Sequence, residues 1–155
     1  MKKILLIILI AITGITVFAQ TYRGQTQMSP EDKLNEKYCT GLFKSAHGTI
    51  FDIQNEPSAS GYLNILDWLQ GRVAGLQIYT YRHGVRIPFI RGNRANIFVD
   101  EMQVDPGYLN ALSINDIAMI KVIKGAFAGS IGGNSAVAIY TIKAEDEEDD
   151  EELNK

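Results

Sequence analysis

Residues 60–79 read SGYLNILDWLQGRVAGLQIY and contain the two elements that decide the fold. Apolar side chains recur there at helical spacing, which predicts an amphipathic helix that begins with Ser60 as N-cap and ends at Gly71 or Gly75. The stripe consists of Tyr62, Ile65, Leu66, Leu69 and Val73. A strand is predicted directly afterwards, at residues 75–79, and the helix is expected to pack on a sheet.

The other strands are predicted from short apolar runs between turn residues. Such runs lie at residues 49–53, 85–91, 96–104, 119–124 and 136–143, and Pro88 indicates an edge or a bulge. In the run 119–124 the side chains alternate, with Met119, Lys121 and Ile123 on one face. Short helical turns are predicted at 108–112, after Ser113 as a cap, and at 125–133. The order of these elements predicts an α/β or α+β domain with a small mixed β-sheet.

Composition is typical of a single globular domain. The chain has 155 residues, of which 46% are hydrophobic and 21% charged. A single cysteine, Cys39, excludes a disulfide framework and is expected to be a buried thiol rather than a nucleophile. We predict a signal peptide at 1–19, a flexible segment with a helical turn at 20–48, the domain at 49–143 and a disordered acidic tail at 144–155.

The N-terminus has the pattern of an export signal. Two lysines precede an apolar run at residues 4–12, and Val17 and Ala19 stand at the positions that a signal peptidase reads. The alternative is a retained anchor, but residues 4–19 are shorter than the ~20 that a spanning helix needs. We therefore expect export to the periplasm or to the periplasmic face of the outer membrane.

Charge is distributed in blocks. The formal net charge is -3, and residues 145–152 are eight consecutive acids. A basic window, residues 82–94, contains His83 and four arginines: Arg82, Arg86, Arg91 and Arg94. One hypothesis is that the acidic tail visits these arginines or shields them from anionic surfaces, and the alternative is a solubilising tail.

No pattern of catalytic or cofactor-binding residues is present in the sequence. The two histidines, His47 and His83, form no metal motif with other ligands, and the glycines at 125–133 lack the lysine of a phosphate loop. Asp100 and Glu101 are adjacent, so in a strand they would point to opposite faces. We predict a protein that is not an enzyme and has no cofactor or metal. An enzyme stays an alternative only if polar side chains converge in the fold.

Four segments, in order, resemble the plug domain of TonB-dependent outer-membrane receptors, in particular the starch-utilisation-type receptors of Bacteroidota. They are LQGRVAGLQI at 69–78, FIRG at 89–92, IFVD at 97–100, and LSINDI at 112–117 with the IKVIKG that follows at 120–125. The residues that carry the resemblance are Gly71, Arg72, Val73, Gly75, Arg91, Gly92, Asp100, Asn115, Asp116, Ile117 and Gly133. The resemblance implies a plug fold that, in full receptors, sits in a barrel and is remodelled by TonB.

The sequence also departs from the family. Plugs usually have Asp-Gly where this chain has Asp100-Glu101, and an acidic stretch rather than a barrel follows residue 143. We therefore expect a stand-alone plug-like domain that acts through protein–protein contacts. The implied partners are a receptor barrel or a periplasmic energy-coupling protein, or the outer-membrane surface, and no nucleic acid.

Two alternatives to this function stay open. The first is a periplasmic module that binds an anionic glycan or chelate with the loops of the arginine window. The second is a degenerate remnant of a receptor.

Overall fold

A computed structural model describes residues 28–127 and 135–143. Four predictions lie outside these residues: the signal peptide, the acidic tail, Gly133 and most of the small-residue turn at 125–133. The described residues contain no helix that is long and apolar enough to cross a membrane.

Eight strands and two α-helices make up the described part of the chain. The strands are β1 (Thr49–Asp52), β2 (Leu76–Thr80), β3 (Arg86–Ile90), β4 (Asn93–Arg94), β5 (Asn96–Val99), β6 (Met102–Val104), β7 (Ile117–Ile123) and β8 (Ala136–Thr141). The helices are α1 (Pro30–Tyr38) and α2 (Ile65–Leu69), and short 3₁₀ helices lie at Arg82–Gly84, Pro106–Asn110 and Ile114–Asp116. The predicted α+β class is confirmed.

The larger sheet is mixed, as predicted. Among the described strands its order is β1-β7-β8-β5-β6, in which β5 and β8 are parallel and the other neighbours are antiparallel. The predicted alternation in β7 is confirmed, because Met119 and Ile123 pack in one hydrophobic cluster and Ile120 and Val122 in the other. The strand β7 is buried along its whole length.

The smaller sheet has the order β2-β3-β4 within the described residues, so Pro88 lies in its middle strand and not at an edge. Its missing N–H removes no hydrogen bond between β3 and β2. The Arg91 N–H donates to the Gly75 oxygen, and by alternation the Ile78–Pro88 pair is one that exchanges no hydrogen bonds. On the other side β4 is only two residues long, and the Pro88 oxygen accepts from Ala95 N at 2.9 Å.

The single strand predicted at 96–104 is wrong, because it is a hairpin of β5 and β6. Asp100 and Glu101 form its two-residue turn, both with left-handed backbone angles (φ 48° and 65°). Two successive positive φ values are typical of a type I′ turn, which usually contains Asn-Gly or Asp-Gly. Glu101 occupies the glycine position, so the sequence signal for the hairpin is absent.

The helix α2 begins later than predicted. Its N-cap is Asn64, whose side-chain oxygen accepts from Leu66 N at 3.0 Å, whereas the Ser60 hydroxyl donates to the Pro57 oxygen in the preceding turn. Tyr62 is 40% exposed, so the apolar stripe begins at Ile65. The helix packs on the larger sheet as expected, and the rings of Trp68 and Phe51 meet edge to face at 5.4 Å.

The opposite face of the larger sheet is covered by residues 28–48, a segment that we expected to be flexible. Ser29 caps α1, Pro30 follows in the first turn, and Glu31 and Asp32 suit a helix N-terminus. After the helix, Phe43 is fully buried against the sheet. Because α1 is mostly polar, its sequence does not predict that this segment packs on the sheet.

Candidate functional site

The turn between α2 and β2 contains the first group of predicted motif residues. Gly71 and Gly75 have φ values of 83° and 81°, which favour glycine, and Val73 between them is buried. The Arg72 guanidinium lies 4.4 Å from the centre of the Trp68 ring and also donates to the Trp68 main-chain oxygen. These four residues therefore shape and anchor the turn.

Arg91 and Gly92 form the turn between β3 and β4. Both are left-handed, with φ values of 53° and 81°, and Ile90 pairs with Asn93 across them. Because Arg91 is an exposed non-glycine residue in this conformation, its guanidinium is presented to solvent at the cost of backbone strain.

The four arginines of the basic window do not form one site. Arg82 lies in the turn between β2 and β3, and Arg91 lies in the turn at the other end of β3. Arg86 bonds to Asp67 on α2 with an Nε–Oδ1 distance of 2.6 Å. Arg94 lies in β4 opposite Phe89 and is exposed. The arrangement does not supply a single cradle for an anionic ligand.

The segment at 113–117 positions the start of β7. Ser113 accepts from Asn115 N at 3.2 Å, which confirms it as a cap, and the Asp116 oxygen accepts from Ile142 N at 2.9 Å. Ile117 is buried, whereas Asn115 and Asp116 are exposed. The predicted motif here connects β7 to the end of β8.

Asp100 fixes the hairpin turn to the neighbouring strand β8. Its carboxylate accepts from Thr141 N at 2.9 Å and from the Thr141 hydroxyl at 2.8 Å. The adjacent Glu101 does not share this role, because its carboxylate reaches the segment after α1.

The Glu101 carboxylate accepts hydrogen bonds from the main-chain N–H groups of three consecutive residues. Thr40 N lies 2.9 Å from Oε1, Gly41 N lies 3.1 Å from Oε2, and Leu42 N lies 3.2 Å from Oε2. Burial on its own would raise the pKa of Glu101, but these hydrogen bonds outweigh it and the pKa is lowered. The sequence did not single out this role.

Lys121 is a buried cation that the sequence analysis placed on a strand face without assigning it a partner. The residue is 2% exposed, and its Nζ donates to Asn35 Oδ1 at 2.6 Å and to the Phe43 oxygen at 2.7 Å. Burial lowers the pKa of Lys121. A charged residue in the middle of an apolar strand was the available signal, but its partners are 86 and 78 positions away.

The thiol of Cys39 is buried, as expected from the sequence. Burial raises the pKa of Cys39, and this effect outweighs the Tyr140 hydroxyl and the Lys121 ammonium, which lower it. Burial also raises the pKa of Tyr140, whose hydroxyl donates to Glu101 Oε1 at 3.3 Å. Because the thiolate is the reactive form, the buried Cys39 thiol with its raised pKa is a poor nucleophile.

Among residues 28–127 and 135–143, no group of three His, Cys, Asp or Glu side chains could hold a metal ion. The surface of this part of the chain has shallow polar depressions, one of which lies beside Lys121 and is lined by Glu31, Asp32 and Lys44.

A comparison with known families identifies the family of this fold. The TonB-dependent receptor plug domain matches residues 53–139, which is more than half of the chain. The chain therefore belongs to the family of TonB-dependent receptor plug domains, and the resemblance in the sequence is confirmed. Plug domains of this family belong to outer-membrane receptors and relate to transport. No curated protein matches the chain.

Solved structures of one importer of Bacteroidota, RagAB, are similar to the chain. The RagAB peptide importer in the closed-closed state has 28% identity and a TM-score of 0.50, over 64% of this chain and 12% of that one. In the open-open state the identity is 25% and the TM-score 0.51, over 63% of this chain and 12% of that one. The RagAB peptide transporter gives 27% and 0.50, over 67% and 13%. This chain thus spans 12% to 13% of the length of the chains that it matches.

Proposed function

We propose that the chain acts as a plug associated with a TonB-dependent outer-membrane receptor, and that it works through protein–protein contacts. The observation that carries this proposal is the family match over residues 53–139. It is supported by the likeness to RagAB, whose structures are described as a peptide importer and transporter. We propose that the chain takes part in import through the outer membrane, and we assign no particular cargo.

A receptor barrel is the first proposed partner, and the exposed arginines are its proposed contacts. Arg82, Arg91 and Arg94 are all exposed and lie on the turns and the edge strand of the smaller sheet. Arginine anchors protein interfaces well because its planar guanidinium can bind a carboxylate with two hydrogen bonds. The three arginines lie at both ends of β3 and on the edge strand, an arrangement that suits a broad wall better than one small ligand.

A periplasmic energy-coupling protein is the second proposed partner, and we place the chain on the periplasmic side of the outer membrane. We also propose that it has no catalytic activity. The support is chemical: the thiol of Cys39 is buried and its pKa is raised, and the carboxylates of Asp100 and Glu101 are occupied by main-chain N–H groups. Binding is then the mode of action.

A crosslinking pull-down from the native envelope tests this proposal. The tagged full chain is compared with Arg91→Gly, which suits the left-handed turn, and with Lys33→Gln, which removes one exposed positive charge on α1. We expect the parent chain and Lys33→Gln to recover an outer-membrane barrel, and Arg91→Gly to recover about tenfold less, the loss typical of one interface anchor. Recovery of neither a receptor nor an energy-coupling component by the parent chain would overturn the proposal.

A further inference from the structure

Residues 30–46, here called the strap, cover one face of the larger sheet without joining it. The strap consists of α1 and the loop that follows, and it precedes the residues that match the plug family. Tyr38, Cys39 and Phe43 are its buried contacts, and the Phe43 ring packs against that of Phe98 at 4.9 Å. The strap therefore lies outside the residues that the family match covers.

The strap has main-chain hydrogen bonds of its own. Cys39 N donates to the Asn35 oxygen and Ala46 N to the Phe43 oxygen, each at 3.1 Å. Asn35 Nδ2 also donates to the Lys44 oxygen, and Lys44 pairs with Glu36 at 2.8 Å. No residue of the strap belongs to a strand, so the strap can leave the sheet without breaking a strand ladder.

The first polar attachment of the strap is Glu101. Its carboxylate accepts from the N–H groups of residues 40–42 and from the Thr40 hydroxyl, all of which belong to the strap. Glu101 holds this position with a φ of 65°, where glycine would be favoured. A glutamate at this position strains the backbone of the turn, but its carboxylate binds the strap.

The second polar attachment is Lys121. Both of its acceptors, Asn35 Oδ1 and the Phe43 oxygen, are also in the strap. When the strap departs, this buried ammonium loses both partners and gains water. A smaller contact, from Lys143 Nζ to the Lys37 oxygen at 2.9 Å, lies near the end of β8.

We propose that the strap is a separable unit, latched by Glu101 and Lys121, that opens while both sheets stay folded. Opening would uncover the apolar face that contains Phe98, Met119 and Tyr140. Such local unfolding has a lower free energy than global unfolding when a segment is attached by few contacts and shares no ladder with the core. The charged groups are on the sheet, and most of their partners are main-chain groups of the strap. The strap side chains that take part are Asn35 and Thr40.

Native-state hydrogen exchange on the full chain tests this inference. In the parent protein we expect amides of the strap to exchange faster than those of β7 and β8. In Glu101→Gly, which retains the turn, we expect exchange of the strap to accelerate on the order of tenfold to a hundredfold, because charge-assisted hydrogen bonds are lost. Exchange in β7 should not change.

Asp100→Gly is the matched control, since it removes the other carboxylate of the same turn. Asp100 binds Thr141 on β8, so this variant should leave exchange in the strap unchanged. Lys121→Met is an independent second variant that fills the same apolar face and should accelerate exchange around residues 35–44. Equal exchange of strap and sheet in the parent chain, or equal acceleration of both by Glu101→Gly, would overturn the proposal.

Discussion

Asn64 joins α2 to the 3₁₀ helix Pro106–Asn110 through one buried carboxamide. Its oxygen caps α2 at Leu66 N, and its nitrogen donates to the Leu109 oxygen at 3.3 Å and to Asn110 Oδ1 at 3.0 Å. Asn64→Ala should lower the free energy of unfolding by about 2 to 3 kcal/mol, because it removes the cap and leaves buried groups unpaired. Urea denaturation measures the loss. Ser60→Ala is the control and should change it by less than about 0.5 kcal/mol.

Glu101 should make stability depend on pH. Its pKa is lowered in the folded protein, so its contribution is present above the unfolded pKa of about 4.3 and is lost as pH falls through the folded value. Cys39 and Tyr140 face it, and their pKa values are raised, so both are neutral in this range. The difference in urea midpoint between the parent and Glu101→Gln should shrink from pH 7 to pH 3. A constant difference would contradict this assignment.

The turn between α2 and β2 depends on glycine at a left-handed backbone position. Gly75 has a φ of 81°, and a Cβ there would meet Arg91 Cγ at 3.7 Å, an ordinary contact. Gly75→Ala should therefore cost about 1 to 2 kcal/mol from backbone conformation alone. Gly61→Ala is the control, because its Cβ would meet only the Ser58 oxygen at 4.0 Å. Thermal denaturation of both variants checks the prediction, and equal losses would show that backbone angle is not the cause.

The elements that sequence could predict are those with a local signal. Alternation in β7 placed Lys121 on the correct face, and a cap at Ser113 followed from its side chain. The β5–β6 hairpin was missed because Glu101 stands where the turn usually has glycine. The strap was missed because its three buried anchors follow no period, and because its latches pair residues about sixty or more positions apart.

On the scale of the whole molecule, the two faces of the larger sheet are buried by different means. One face is covered by α2 and the smaller sheet in one large apolar cluster. The other is covered by the strap, whose smaller cluster is fixed by charged groups at Glu101 and Lys121. The second face is therefore held by apolar contacts together with hydrogen bonds between charged side chains and neutral groups.

The basic surface and the acidic stretch at residues 145–152 lead to a final prediction about the whole chain. Three exposed arginines lie on the smaller sheet, and eight acids elsewhere in the chain would reduce their attraction to an anionic membrane. Deletion of residues 145–155 should strengthen binding to vesicles that contain anionic lipid, and raising the ionic strength to about 1 M should cancel the gain. Replacement of these acids by Asn and Gln removes their charge but keeps the length of the chain, and it should strengthen binding to the same vesicles. Unchanged binding in both variants would favour a solubilising role, since shielding requires that the arginines become more available when the acids are gone.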